Sequence, residues 1–295
     1  MHGKCPSNSE MLGGVIGCDP TLISVIAENP NEHYRRFPIR SKRKRPRWIS
    51  APSGNLKAIQ RSILDELLYK IEPHTSAHGF YPERSIITNA QLHTKKCWVI
   101  SMDIKDFFTT TSKESVLETI AEHGLGYNPQ LWELVVSLCC LDDCLPQGAP
   151  TSPHLANLCF IELDKCLVEL ADSNNLSYSR YADDMTFSGT IMPPNMTELV
   201  QGIIAKCGYE LAKEKTKIMG RNKRQTVTGL VVNDKVTLPR TLRRKLRAIR
   251  HAGLTCGWEE AILQSDLVDS ENEYWGYFAL QTMVSREIPN HIRIS

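Results

Sequence analysis

The 295-residue sequence predicts an α+β fold in which an antiparallel sheet is backed by helices. Three observations carry this. Trp98 to Ile104 alternates, with Ile100, Met102 and Ile104 on one face and Val99, Ser101 and Asp103 on the other, the period of a strand. Leu56 to Ile71 instead sets Leu56, Ile59, Ile63, Leu64, Leu67 and Leu68 at helical spacing. Segments of the two kinds intersperse without the strict alternation that marks a parallel α/β sheet.

In chain order, residues 11–28 predict one short helix with Leu12, Val15, Ile16, Leu22, Val25 and Ile26 apolar. A basic run from Arg35 to Arg47 follows, with eight Lys/Arg and no acid. Arg47 to Ser50 reads as a strand closed by a turn at Pro52-Ser53-Gly54. Thr111 and Glu114 form a capping box for a helix running to about His123. Ser152-Pro153 starts another, since proline's missing N–H costs nothing in a first turn. Leu155, Leu158, Cys159, Leu163, Leu167 and Leu170 continue it as one apolar stripe. Tyr178 to Ser188 reads as two short strands joined at Asp183-Asp184, and a helix is expected over Asn195 to Cys207. Strands are expected near 208–219 and 225–238, and a helix past Pro239, with Leu242, Leu246 and Ile249 apolar among five basic residues.

Composition bounds the function. With 41% hydrophobic and 23% charged residues the chain is of ordinary soluble type. No apolar run approaches the roughly 20 residues that span a bilayer. The first residues lack a basic start followed by an apolar stretch, so the expected address is the cytoplasm. Ten cysteines include no CxxC pair, and Cys139, Cys140, Cys159 and Cys166 lie in apolar, helical-looking stretches; reduced, mostly buried thiols are expected. The net charge of +2 conceals two basic blocks, +8 over residues 31–70 and +11 over 213–250, against −17 elsewhere. That pattern suits a polyanion gripped at two places. Charge alone does not choose between DNA, RNA and a membrane surface.

The chemistry centres on Tyr181-Ala182-Asp183-Asp184. Adjacent carboxylates at a hairpin tip repel each other and need water or a cation. An Asp-Asp dipeptide by itself is equally at home in a solvated turn. Asp103, however, is the only acid on an otherwise core-seeking strand, and beside the hairpin it makes a three-acid cluster. Oxygen-only ligands suit Mg²⁺. Two such ions about 4 Å apart can activate a hydroxyl and stabilise a leaving pyrophosphate, which is nucleotidyl transfer. Asp106 is not expected to join them, being three residues past Asp103 and off the strand.

Three segments then resemble successive reverse transcriptase motifs, in that family's order: residues 101–108 (SMDIKDFF), 145–153 (LPQGAPTSP) and 181–184 (YADD). The resemblance covers roughly residues 40–290. Residues 89–93 carry the NAxxH pattern and Val227-Thr228-Gly229 the VTG pattern of bacterial retron reverse transcriptases, and the chain is identified as a member of that subgroup. The resemblance implies a right-hand polymerase fold: an N-terminal helical extension (1–30), fingers and palm (31–239), and a small helical thumb (240–295). It implies two Mg²⁺ ions on Asp103, Asp183, Asp184 and the backbone carbonyl of Ile104. Phe108 would lie under the sugar and exclude a 2′-OH, Gln147 would bond the incoming nucleotide, and Lys215 would serve the triphosphate, with Lys213 and Lys217 as neighbours. Arg47, with or without Arg45, would clamp the triphosphate. Asn89, His93, Val227, Thr228, Gly229, Arg243, Arg244 and Arg247 would touch nucleic acid. Trp275, Tyr277 and Phe278 are expected in a core.

Retron membership further implies a structured non-coding RNA partner and its RNA–DNA product, dNTP substrates, priming from a guanosine 2′-OH and a branched RNA–DNA hybrid. It also implies a role in antiphage defence with a separate effector protein, and no membrane partner. No maturase, endonuclease or RNase H segment is expected beyond the thumb. The rival readings are a bacterial reverse transcriptase primed by other means and a non-catalytic RNA-binding scaffold.

Overall fold

The computed structural model describes residues 7–41 and 44–285, and at 40–41 and 44–46 the backbone alone. Where the apolar spacing predicts one helix, two form: α1 (Asn8–Ile16) and α2 (Pro20–Glu28). The first ends in a left-handed cap at Gly17, and Asp19 restarts the chain by accepting the Thr21 N–H beside Pro20. Both deliver side chains to the main core, Leu12, Ile16, Ile23 and Ile26.

The basic run folds into an antiparallel hairpin of β1 (Tyr34–Ser41) and β2 (Lys44–Pro52), pairing Phe37 with Ile49 and Pro38 with Trp48. Sequence pattern finds only part of β2, because the outer residues of this ribbon are exposed on both faces and show no apolar period. Next come α3 (Gly54–Glu66), capped by Ser53, and α4 (Ile86–Gln91), capped by a reciprocal Ser85–Thr88 box. The expected helix to Ile71 ends early, in a 3₁₀ turn at Leu68–Lys70.

β3 (Trp98–Asp103) is followed by α5 (Phe107–Thr110), α6 (Lys113–His123) and α7 (Pro129–Cys139). The cap of α6 is Ser112, which accepts the Ser115 N–H; the Thr111 hydroxyl is committed elsewhere, donating to the Phe107 carbonyl at 2.9 Å. The stripe after Ser152 is broken at Phe160 into α8 (Ser152–Cys159) and α9 (Ile161–Ser173). β4 (Ser177–Tyr181), β5 (Asp184–Gly189), α10 (Met196–Ile204) and β6 (Lys217–Gly220) follow. The segments expected as strands near 208–219 and 225–238 yield only β6, β7 (Thr226–Val227) and β8 (Leu230–Val231), with a 3₁₀ turn at Lys213–Lys215. The chain continues through α11 (Arg240–Cys256), α12 (Trp258–Leu263) and α13 (Glu271–Ser285).

The central sheet is antiparallel in the order β4–β5–β3–β6. Ile100, Met102, Met185 and Phe187 enter the main core with α3 and α6–α10. A second core joins Val99, Met219 and Val227 to Leu246, Ile249 and Tyr274 of the last helices, with Tyr277 and Phe278 packed against it and Trp275 left 44% exposed. Described cysteines are free thiols; Cys139 and Cys140 are buried, but Cys166 is exposed, contrary to its apolar sequence setting, because it lies on the solvent side of α9. Among the described residues, no helix is long and apolar enough to cross a membrane.

Candidate active site

Asp103 closes β3, Asp184 opens β5, and the two are direct cross-strand partners. Side chains so paired share one face within about 5 Å at Cβ, where like charges repel. Asp183 comes from the Ala182-Asp183 turn between β4 and β5, with Ala182 left-handed at φ 56°. The Ile104 N–H donates to the Asp183 carbonyl at 2.9 Å and ties that turn to the end of β3. Three carboxylates thus meet at one end of the sheet.

Their electrostatics follow. Burial, and then the charge of Asp103, push Asp183 above the ordinary carboxylate range. Asp184 is pushed up to about 6 by burial, with Asp103 and Asp183 adding to it; the Ser101 hydroxyl, donating to Oδ1 at 2.7 Å, opposes the rise. Lys215 Nζ lies 2.5 Å from Asp103 Oδ1, a bond that raises the ammonium's own pKa. Lys213 lines a separate hollow with Lys105, Gln201 and Glu210. Lys217 stands opposite Ser101 across β3 and β6, and its charge reaches Asp184. A set of oxygen donors, two of them held above their usual pKa by burial and mutual repulsion, fits a hard divalent cation.

Asp183 opens into a cleft of about 680 Å³ lined also by Ile104, Arg47, Phe108, Gln147 and Lys215. All four residues expected at a nucleotide therefore face one space. Gln147 is set by the Ser50 N–H, which donates to its carbonyl at 2.8 Å. Gly148 makes this approach possible: at φ 128°, a Cβ there would lie 2.7 Å from Ile49 Cγ2 and 2.9 Å from the Ser50 carbonyl. Phe108 is half-buried on α5 beside Phe107, with ring centroids 5.6 Å apart. Asp106 is exposed and left-handed (φ 48°), where the chain has already left the strand. The side chain of Arg45 lies outside the described residues.

A family model described as Reverse transcriptase (RNA-dependent DNA polymerase) matches residues 39–233. The chain belongs to this family. Retron Ec86 reverse transcriptase of Escherichia coli is 35% identical over 229 residues, 76% of this chain and 71% of that one. Retron Mx65 reverse transcriptase of Myxococcus xanthus is 35% identical over 241 residues, 74% of this chain and 56% of that one, so the match spans little more than half of that relative. Retron Se72 reverse transcriptase of Salmonella heidelberg is 29% identical over 264 residues, 86% and 69% of the two chains. A structure of telomerase from Candida albicans with a fragment of telomeric RNA aligns with TM-score 0.49 and 13% identity, over 85% of this chain and 55% of that one.

The two retron-type motifs of this reverse transcriptase have a structural place that the sequence reading did not foresee. Asn89 and His93 are fully buried, not presented to nucleic acid. Ser179 of β4 donates to Asn89 Oδ1 at 2.5 Å, so its oxygen must accept from His93 Nε2–H at 2.7 Å. That leaves His93 Nδ1 to accept from Ser188 of β5 at 2.6 Å. The imidazole is neutral, and burial pushes its pKa down to about 3. Val227 is likewise buried, and Thr228-Gly229, at φ 47° and 82°, form the two-residue turn between β7 and β8. Thr228 Oγ1 donates to the Ile86 carbonyl in the first turn of α4 at 3.1 Å, so the Val227-Thr228-Gly229 turn docks on the helix that carries Asn89. Arg243, Arg244 and Arg247 are exposed on α11, whereas Lys245 pairs with Asp266 at 2.6 Å and Arg250 lies over the Phe278 ring.

Sequence reasoning missed the support beneath the Ala182-Asp183 turn. Arg180, fully buried, pairs with fully buried Asp164 through two bonds, Nε to Oδ1 at 3.0 Å and a terminal nitrogen to Oδ2 at 2.7 Å. Its other terminal nitrogen donates to Asn157 Oδ1 at 3.0 Å and to the Ala182 carbonyl at 2.9 Å, directly under the acids. The available signal was an arginine inside a strand whose neighbours seek a core. The helical register of Asp164 gave no hint of the pairing.

Proposed function

We propose that this reverse transcriptase copies a cognate structured RNA into DNA with two Mg²⁺ ions, starting from an RNA 2′-OH to give a branched RNA–DNA product. The observation that carries the reading is the clustering of Asp103, Asp183 and Asp184 at one end of the sheet, with Asp183, Lys215, Arg47, Gln147 and Phe108 lining the cleft beside it. Similarity to three retron reverse transcriptases supports the subgroup and, through it, RNA priming, antiphage defence and a separate effector protein.

The three carboxylates and the Ile104 carbonyl would hold Mg²⁺, which when bound would supply charge to activate the attacking hydroxyl and steady the pyrophosphate leaving group. The residues do the remainder. Asp184 keeps its carboxylate oriented through Ser101. Lys215, already at Asp103, can turn its ammonium to phosphate oxygens and release a proton to the leaving group. Arg47 offers a fork to the triphosphate, and Phe108 occupies the space a ribose 2′-OH would need. Because an in-line displacement asks only for a positioned hydroxyl, the same site serves 2′-OH and 3′-OH attack.

The test is dNTP incorporation with Mg²⁺ on RNA co-purifying with the protein. Asp183→Asn should abolish synthesis; equal activity in both proteins defeats the polymerase reading. RNase digestion of the product should leave a 2′–5′ linked branch nucleotide, and a linear product returns the priming to another mode.

A further inference from the structure

Phe80 is an aromatic residue that neither core accounts for. It is 42% exposed and lines the cleft beside Ala182 and Asp183. Its backbone is left-handed (φ 59°), a conformation that glycine or asparagine adopts readily and a bulky residue does not. Its ring stands 5.9 Å from that of Tyr181, the residue before the catalytic turn. Strain on an exposed ring at the edge of a reaction centre asks for a ligand rather than a packing reason.

The surrounding loop holds that ring in place. The His78 N–H donates to the Arg180 carbonyl at 2.7 Å, and the Arg180 N–H donates to the Ser76 carbonyl at 2.8 Å, so residues 76–78 line the outer edge of β4. Asn157 Nδ2 holds the Gly79 carbonyl at 2.7 Å, while Arg84 grips the carbonyls of His74 and Ala77, each at 2.7 Å. A Cβ on Gly79 would sit 3.0 Å from the Ala182 nitrogen, so the loop lies directly against the turn bearing the acids. The backbone that carries Phe80 is thus fixed, and a ring on a fixed backbone has less freedom to lose on binding.

Building on the polymerase reading above, we propose that Phe80, set against Tyr181, is a step on which a nucleotide of the paired strands packs at the active site. It is separate from Phe108, which lies on α5. The ligand is a base of the RNA–DNA pairing. A base at the end of the paired strands keeps one π-face open whatever its identity, so the contact reads no sequence.

The test is anisotropy of a labelled RNA template–DNA primer duplex with wild type, Phe80→Asn and Phe80→Tyr. Asparagine tolerates the left-handed backbone, so Phe80→Asn should keep its melting temperature while duplex affinity falls about 5- to 150-fold. The KM for the next dNTP should stay in place. Phe80→Tyr, which keeps the ring, should rescue the affinity. An abasic site at the primer 3′ end, or one in the template nucleotide opposite, should erase the Phe80→Asn defect for whichever strand stacks. Wild-type affinity in Phe80→Asn, a matching fall in melting temperature, or a defect undiminished on both abasic duplexes would overturn the step. Wild-type DNA synthesis on the same duplex separates the two claims: synthesis without a Phe80 effect removes this inference alone, and an inert wild type removes the polymerase reading with it.

Discussion

Asp184 shows how a single residue trades stability for chemistry. Its carboxyl is held near 6 against an ordinary 3.8, so ionising it costs the cation-free fold free energy as pH rises from 3.8 through 6, and the whole cost is present at neutral pH. Asp184→Asn removes that charge and leaves Ser101 a neutral acceptor. Chelator-treated Asp184→Asn should therefore be about 1–3 kcal/mol more stable than wild type at pH 7.5 by urea titration, while synthesising no DNA. Mg²⁺ should raise the melting temperature of wild type and do less for the variant. Equal stability of the two chelated proteins would mean that water already screens the cluster. Asp103 was legible from sequence because an acid on a core-seeking strand needs a partner. Arg180 was not, since its partners Asp164 and Asn157 lie 16 and 23 residues away along the chain.

Helix α4 is the element whose role changed most between sequence and structure. Read as a polar motif it suggests contact with RNA; in the fold its Asn89, and His93 just beyond it, brace both strands of the β4–β5 hairpin through Ser179 and Ser188. Polar residues announce themselves in sequence, but their burial does not, and burial decides whether an amide meets solvent or a hydroxyl. Strand β1 and the start of β2 went unread for a related reason: residues 35–39 are exposed on both faces of the ribbon and lack the alternation by which strands are read, whereas Arg47 to Ser50 was legible. The buried, neutral His93 predicts acid sensitivity. Its folded pKa, about 3, lies below the ordinary 6.5, so the unfolded chain takes up a proton that the fold refuses. Stability contributed by this group is complete above pH 6.5 and is lost at up to about 1.4 kcal/mol per pH unit below it. Urea midpoints should fall between pH 7 and pH 5, and less steeply in His93→Asn. Parallel slopes would reassign the sensitivity to another group.

At the scale of the whole molecule, the two basic blocks sit in the β1–β2 ribbon and in the segment from β6 through α11, with the acids on the sheet between them in sequence. The charge asymmetry was legible; which basic residues of α11 meet a neighbour was not, because Lys245 and Arg250 differ from Arg243, Arg244 and Arg247 by the Asp266 carboxylate and the Phe278 ring that the following chain brings near. Replacing those three arginines by glutamine should weaken duplex binding equally for every sequence. The slope of log affinity against log salt should become shallower by about 2–3. An unchanged slope would place the helix away from the backbone. The Asp164–Arg180 pair has one more consequence, in time rather than energy. Wetting it means separating α9 from β4, so amide exchange in the β4–β5 hairpin should follow the opening of the surrounding core, at the pace of global unfolding.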